Sequence, residues 1–184
     1  MKQFFLFILI AFSINPIFGQ WTTDTDLNTL VSNAESGDIQ SVATNDGRTW
    51  VASWHDVPAP KYYEMRIQLL DANGYQTLDT DGLLVNDIAQ MSSYTTLWYL
   101  TVDKDNNAYL AFNATGGQNE VYAHKIAPNG TQVWGNSGVL VGTGFDPKIL
   151  PLSNGECIVS WLPGNKALMQ KLSTNGTKVW PSDV

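Results

Sequence analysis

The sequence predicts an all-β chain of about three blade-like antiparallel repeats, on three observations. Three Asn-Gly pairs, ending at Gly74, Gly130 and Gly176, close corresponding strand-length runs, RIQLLDANG, YAHKIAPNG and LMQKLSTNG. Each pair is followed by a second shared stretch, with Gln76 to Leu78, Gln132 to Trp134 and Lys178 to Trp180 in step. Beyond the first nineteen residues no stretch keeps a helical period for three turns, whereas runs rich in Val, Ile, Thr, Trp and Tyr alternate with turn residues.

In chain order, the first element is a leader. Met1 and Lys2 give a short positive start, Phe4 to Phe12 is unbroken apolar, and Ser13, Asn15 and Pro16 loosen the run before Gly19. This is the pattern of a secretory signal peptide over residues 1–19, and the run is too short to span a bilayer, which takes roughly 20 apolar residues. The chain is therefore expected to be secreted or held at the cell surface, with no membrane span once the leader is removed. Residues 20–184 then divide into repeats of about 20–77, 78–133 and 134–184.

Each repeat opens on a polar turn and a strand ending in an aromatic residue: NDGRTWVASW to Trp54, DNNAYLAF to Phe112, SNGECIVSW to Trp161. The next strand carries Gln68, His124 or Gln170 before the Asn-Gly turn, where both turn residues are expected at positive φ in a primed hairpin. The first two repeats continue in step through Gly82 to Val85 and Gly138 to Val141. About four short strands per repeat, at a period of roughly 40 to 50 residues, is the content of one β-propeller blade. Trp54, Phe112 and Trp161 are expected to pack between neighbouring blades. Closed propellers have about 4 to 8 blades, so three repeats predict a fragment, an open arc, or self-association with another copy to complete a ring.

Composition limits the function. Seventeen Asp plus Glu against ten Lys plus Arg give a net charge of -7, with no basic face for nucleic acid. One cysteine and two histidines cannot build a disulfide framework or a zinc site of the usual ligand count, and Cys157 opens an apolar run as a buried small hydrophobe would. No cofactor is expected. Asp103, Asp105 and Asn107 have the alternating spacing with which calcium loops begin, making them a weak metal candidate. Ala108 and Ala114 stand where an EF-hand needs Gly and Glu, and the segment aligns with the turns at Gly47 and Gly155, so a plain hairpin turn is the preferred reading.

His55 and Asp56 follow Trp54 directly, but adjacent strand residues face opposite ways and cannot act as a base and its orienter. The insertion from His55 to Glu64 is the better binding candidate: its tyrosines Tyr62 and Tyr63 suit glycan or protein contacts, unless they merely begin the next strand. His124 shares its repeat position with Gln68 and Gln170, which favours a structural polar role. The sequons at Asn113, Asn129 and Asn175 would be glycan acceptors in a eukaryotic secretory route, and two of them are the repeat's own turns.

The order of turn, Trp-ended strand, Gln-bearing strand, Asn-Gly turn and Val/Leu strand resembles exported Bacteroidetes proteins built of tandem propeller-like repeats, a class carried by the type IX secretion system. That resemblance implies a cell-surface or secreted protein, often without an assigned activity. The segment from Ala43 to Trp50 is also similar to an Asp-box: Gly47, Thr49 and Trp50 match, while Ala43 and Asn45 replace the Ser and Asp. An Asp-box is a folding element, and sialidases grip their substrate carboxylate with a trio of arginines where this chain has only Arg48 and Arg66. The expectation is a non-catalytic exported repeat protein that binds a protein or carbohydrate partner through loops. The alternatives are part of a glycoside-active enzyme, or a structural or adhesive repeat array.

Overall fold

The computed structural model describes residues 28–58, 63–86, 98–114 and 119–184. The leader and Tyr62 lie outside the described residues. Every regular element among those described is a strand. The first sheet is β1 Ser36–Ala43, β2 Thr49–Asp56, β3 Tyr63–Leu70 and β4 Leu83–Asn86. The second is β5 Trp98–Val102, β6 Ala108–Ala114, β7 Glu120–Ile126 and β8 Val139–Thr143, and the third is β9 Phe145–Pro151, β10 Cys157–Leu162 and β11 Leu168–Leu172. Each sheet is an antiparallel meander in sequence order. The division at residues 77 and 133 cuts within these sheets, because β4 and β8 close the sheet already begun. Val184 and Met169 exchange two backbone hydrogen bonds, of 2.6 and 3.0 Å, on the outer side of β11. Val184 thus stands against the third sheet where Val139 of β8 pairs with Ala123.

The repeat is written in the turns. Leu70, Ile126 and Leu172 bridge to Gln76, Gln132 and Lys178. In each loop the glycine N–H donates three residues back, to Asp71, Ala127 or Ser173, and that residue's own N–H donates to the carbonyl just past the glycine. Only the glycines take positive φ, at 86°, 84° and 84°, while Asn73, Asn129 and Asn175 do not. The expected primed turn is therefore a type I turn followed by a glycine bulge, the usual three-residue hairpin solution. It needs one left-handed residue and not two.

The sheets stack face to face. Trp50, Trp54 and Met65 of the first sheet meet Leu110, Phe112 and Ile126 of the second in one core. Tyr109, Ala111 and Val121 of the second meet Cys157, Val159 and Trp161 of the third in another. Each large side chain buried here contributes about 1.5–3 kcal/mol. Two turn-to-strand locks repeat: Trp50 Nε1 donates to Asn106 O of the next sheet at 2.9 Å, and Tyr109 Oη donates to Gly155 O at 3.2 Å.

Those locks fix the register and correct one expectation. The turns make Thr44, Asp103 and Leu152 equivalent, since each N–H donates to the carbonyl four residues on. Counting from them, Ser53 matches Phe112 and Trp161, and Trp54 matches Asn113. The three aromatic strand ends are not one repeated position. Side chains alternate across a strand, so Trp54 points forward to the second sheet while Phe112 and Trp161 point back, and Trp54 and Phe112 share one core.

Candidate functional site

At the sheet edges β1, β5 and β9 lie side by side as the first strands of their sheets, and their starting residues gather at one end. The Gln40 side chain fixes β1 to β5: its Nε2 donates to Trp98 O at 3.0 Å and its Oε1 accepts from Leu100 N at 3.2 Å. One turn-anchored position then stands out. Asp38 and Asp146 each lie six residues before the matched turn residues Thr44 and Leu152. Both are in the left-handed region, at φ 45° and 49°, which costs an L-residue about 1–2 kcal/mol. Each lies at a break in pairing register, between Gly37 and Ile39 in β1 and opposite Trp161 in β9. A bulge re-aims a side chain, and strain retained at matched positions points to use. The matching residue of the second repeat, Leu97, lies outside the described residues.

Around the two carboxylates the polar contacts are few and defined. Asp38 Oδ2 accepts from Trp98 Nε1 at 3.0 Å. Lys148 Nζ donates to Asp146 Oδ1 at 2.5 Å and lies 5.4 Å from the centroid of the Tyr99 ring. Tyr99 is 38% exposed, so part of an aromatic residue stays accessible beside an Asp-Lys pair. This arrangement offers carboxylate acceptors, an ammonium donor and an apolar ring face at one end of the first strands.

Of the residues expected from the sequence, His55 and Asp56 end the strand that pairs with the start of β1, with His55 opposite Ser36, close to Asp38 in the sheet. The signal for Asp38 and Asp146 in the sequence is their equal spacing, six residues before the matched turn residues Thr44 and Leu152. His55 is 3% exposed on the first sheet's rear face, and Asp56 is exposed on the other. The two face opposite ways, as expected, and form no pair. Burial holds the His55 imidazole below its usual value, with the nearby Arg66 cation adding to the shift. Tyr63 begins β3 and packs edge-on to Trp54, with ring centroids 5.8 Å apart. It is a half-buried strand residue, with its ring committed to the core.

The metal candidate is a turn. Asp103 Oδ1 accepts from Asp105 N and Asn107 N, both at 2.9 Å, and its Oδ2 accepts from Asn107 Nδ2 at 2.8 Å. Asp105 pairs instead with Lys104. In the segment similar to an Asp-box, Asp46 forms a forked pair with Arg48, and Thr44 Oγ1 donates to Asp46 at 2.6 Å while lying 2.8 Å from Arg48 O. Donation from Arg48, and then from Thr44, holds the Asp46 carboxyl far below the usual carboxylate range.

The repeated Gln position is structural in two sheets of three. Gln68 Oε1 accepts from Leu69 N and Leu78 N while its Nε2 donates to Asp79 O, and Gln170 binds Lys171 N, Trp180 N and Asp183 the same way. His124 departs from this: it stacks on Phe112 at 5.6 Å, and its ring nitrogens make no well-formed hydrogen bond, with the Gln132 side chain interacting only weakly with the ring. Burial pushes it down to about 4.

No family model and no curated protein matches the chain. Among solved structures, it is similar to the endo-1,5-α-L-arabinanase of Thermotoga petrophila RKU-1, at 16% identity and a TM-score of 0.43, over 78% of this chain and 38% of that one. It is also similar to an endo-arabinase of Bacteroides thetaiotaomicron VPI-5482, at 17% identity and a TM-score of 0.42, over 84% of this chain and 64% of that one. The chain thus spans less than two thirds of either enzyme's length.

Proposed function

We propose that this is an exported, non-catalytic propeller-like protein that binds a carbohydrate at the starting ends of its first strands. The observation that carries the reading is the matched pair Asp38 and Asp146, both strained and both at bulges, with Asp38 bonded to Trp98 and the Asp146–Lys148 pair beside the part-exposed ring of Tyr99. Sugar hydroxyls donate to carboxylates and accept from an ammonium, and the C–H face of a pyranose or furanose lies against an aromatic ring. Export is supported by the apolar leader of residues 1–19.

Binding is preferred to hydrolysis on environment. Glycoside hydrolysis needs one carboxyl kept protonated as the acid, which apolar surroundings achieve, and a second carboxylate as nucleophile or base. Asp38 is exposed and bonded to an indole N–H, and Asp146 is paired with Lys148. The test is calorimetric titration of a panel of soluble oligosaccharides with the wild type and with Asp38→Ala and Tyr99→Ala. Binding that both variants weaken roughly tenfold or more supports the reading. No binding to any sugar refutes it, and release of reducing ends that Asp146→Asn abolishes overturns the non-catalytic part.

A further inference from the structure

We infer that the forward face of the third sheet is a docking face for a further sheet of this same repeat, and that the stack is closed at its first sheet and open at its third. One contact, repeated at both junctions, shows how one sheet receives the next. Leu78 of the first sheet's outer loop lies on the turn glycine of the second, where a Cβ added to Gly130 would stand 3.2 Å from it. Trp134 does the same for the third sheet: a Cβ at Gly176 would fall 2.8 Å from its ring, and its Nε1 donates to Thr174 O at 3.1 Å. The matching residue of the third sheet is Trp180, half-buried, whose indole nitrogen has no partner among the described residues. It stands ready for the Asn-Gly turn of one more sheet.

The rest of that face agrees. In β10 the side chains of Cys157, Val159 and Trp161 face back into the core, so Ile158 and Leu162 face forward. Leu162 is 37% exposed, and on the same face Leu150, opposite Ile158, and Met169, opposite Ser160, are 61% and 41% exposed. The forward faces of the first and second sheets, carrying Trp50 and Tyr109 at the position of Ile158, are buried. A sheet that presents an aromatic residue at the position of Phe112 and Trp161 would cover these residues as the second and third sheets cover their neighbours.

A second copy of the chain is the wrong occupant, because the rear of the first sheet is already filled. Gln132 Nε2 reaches back to Leu84 O at 3.0 Å and Lys178 Nζ to Val141 O at 2.6 Å, each onto the outer strand of the preceding sheet. The equivalent Gln76 Nε2 reaches Leu30 O and Val31 O at 3.1 and 3.0 Å. Residues 30–31 therefore take the place of a preceding sheet's outer strand, and Asp81 holds the segment through Asn33 N at 3.1 Å. Where later sheets offer Phe112 or Trp161, the first offers Ser53, beside the buried His55 and Arg66.

The test extends the full chain by a second copy of residues 140–184 after Val184, with methionine removed from the copy. Val184 already sits where Val139 sits, so the copy continues the outer strand and adds a sheet. Peroxide oxidation of Met169, read by peptide mass spectrometry, is expected to slow by at least roughly tenfold relative to the unextended chain. Serine in place of the copy's tryptophan at position 161 should return the rate to that of the unextended chain. Leu150→Asp should leave the melting of the unextended chain unchanged and abolish protection in the extended one. An unchanged Met169 rate, or an added sheet that stays unfolded by circular dichroism, overturns the inference. So does a dimer of the unextended chain that Leu150→Asp dissociates, which would give the face to a second copy.

Discussion

Replacing His124 with glutamine should stabilise the protein, against the usual direction for a core substitution. His124 is 1% exposed and neither ring nitrogen makes a well-formed hydrogen bond, the Gln132 side chain being only a weak partner, at a cost of up to about 1–3 kcal/mol. At the same repeat position Gln68 and Gln170 each tie the strand to the outer loop through both amide atoms. Each such bond is worth about 0.5–1.5 kcal/mol. Losing the stack on Phe112 returns about 0.5–1.5 kcal/mol, which leaves a net gain of about 1–3 kcal/mol. For a chain of this size that is a rise in Tm of about 2–4 °C per kcal/mol.

The pH dependence sharpens the test. Burial lowers His124 to about 4 in the folded state, with the Gln132 side chain acting in the opposite direction. Between the unfolded value near 6.5 and the folded value, the unfolded chain binds the extra proton, so stability falls as pH is lowered through that window and levels off below about pH 4. The loss is on the order of 3 kcal/mol for the wild type and absent from this source in His124→Gln. Thermal melts by circular dichroism at pH 7.5 and pH 5 measure both effects. A variant that melts at or below the wild type at pH 7.5, with the same fall toward pH 5, would refute the reasoning.

Other substitutions test the inter-sheet contacts and the strained aspartates. Trp50→Phe removes the hydrogen bond to Asn106 O and some ring contacts and should cost about 1–3 kcal/mol, whereas Tyr109→Phe loses only the bond to Gly155 O and should cost about 0.5–1.5 kcal/mol; urea titration compares them. A methyl at Gly142 would stand 2.6 Å from Trp161 Cζ2, so Gly142→Ala should cost about 1–3 kcal/mol by overpacking, and a double-mutant cycle with Trp161→Leu should recover most of it. Because Asp146 sits at φ 49°, Asp146→Gly should be more stable than Asp146→Ala by about 1 kcal/mol, with sugar binding lost in both. Burial pushes the Cys157 thiol up to about 12, so iodoacetamide at pH 8 should label it only as the protein unfolds.

The repeat was legible because its signals are local. Asn-Gly before a polar residue makes a hairpin wherever it occurs, and three such pairs in matched surroundings give an all-β meander without knowledge of any contact. The turn type was not, since whether Asn73 and its counterparts need positive φ depends on the bulge that the flanking pairing permits. The aromatic strand ends misled for a related reason. A one-residue offset between Trp54 and Phe112 reads as the same landmark in a sequence but reverses the face in a sheet. Asp38 and Asp146 became visible only through their dihedrals and bulges, properties of pairing with β2 and β10. The cover supplied by residues 28–34 left no mark in composition, because it works through backbone carbonyls at Leu30 and Val31.

The binding account is tested most directly by mapping amide chemical shifts on adding an oligosaccharide that the titration identifies as bound. The account predicts that the largest changes fall on Asp38, Tyr99, Asp146 and Lys148, at the starts of β1, β5 and β9. Changes centred on the turns at Gly47, Asn106 and Gly155, at the opposite end of the sheets, with the starts of the first strands unmoved, would contradict it.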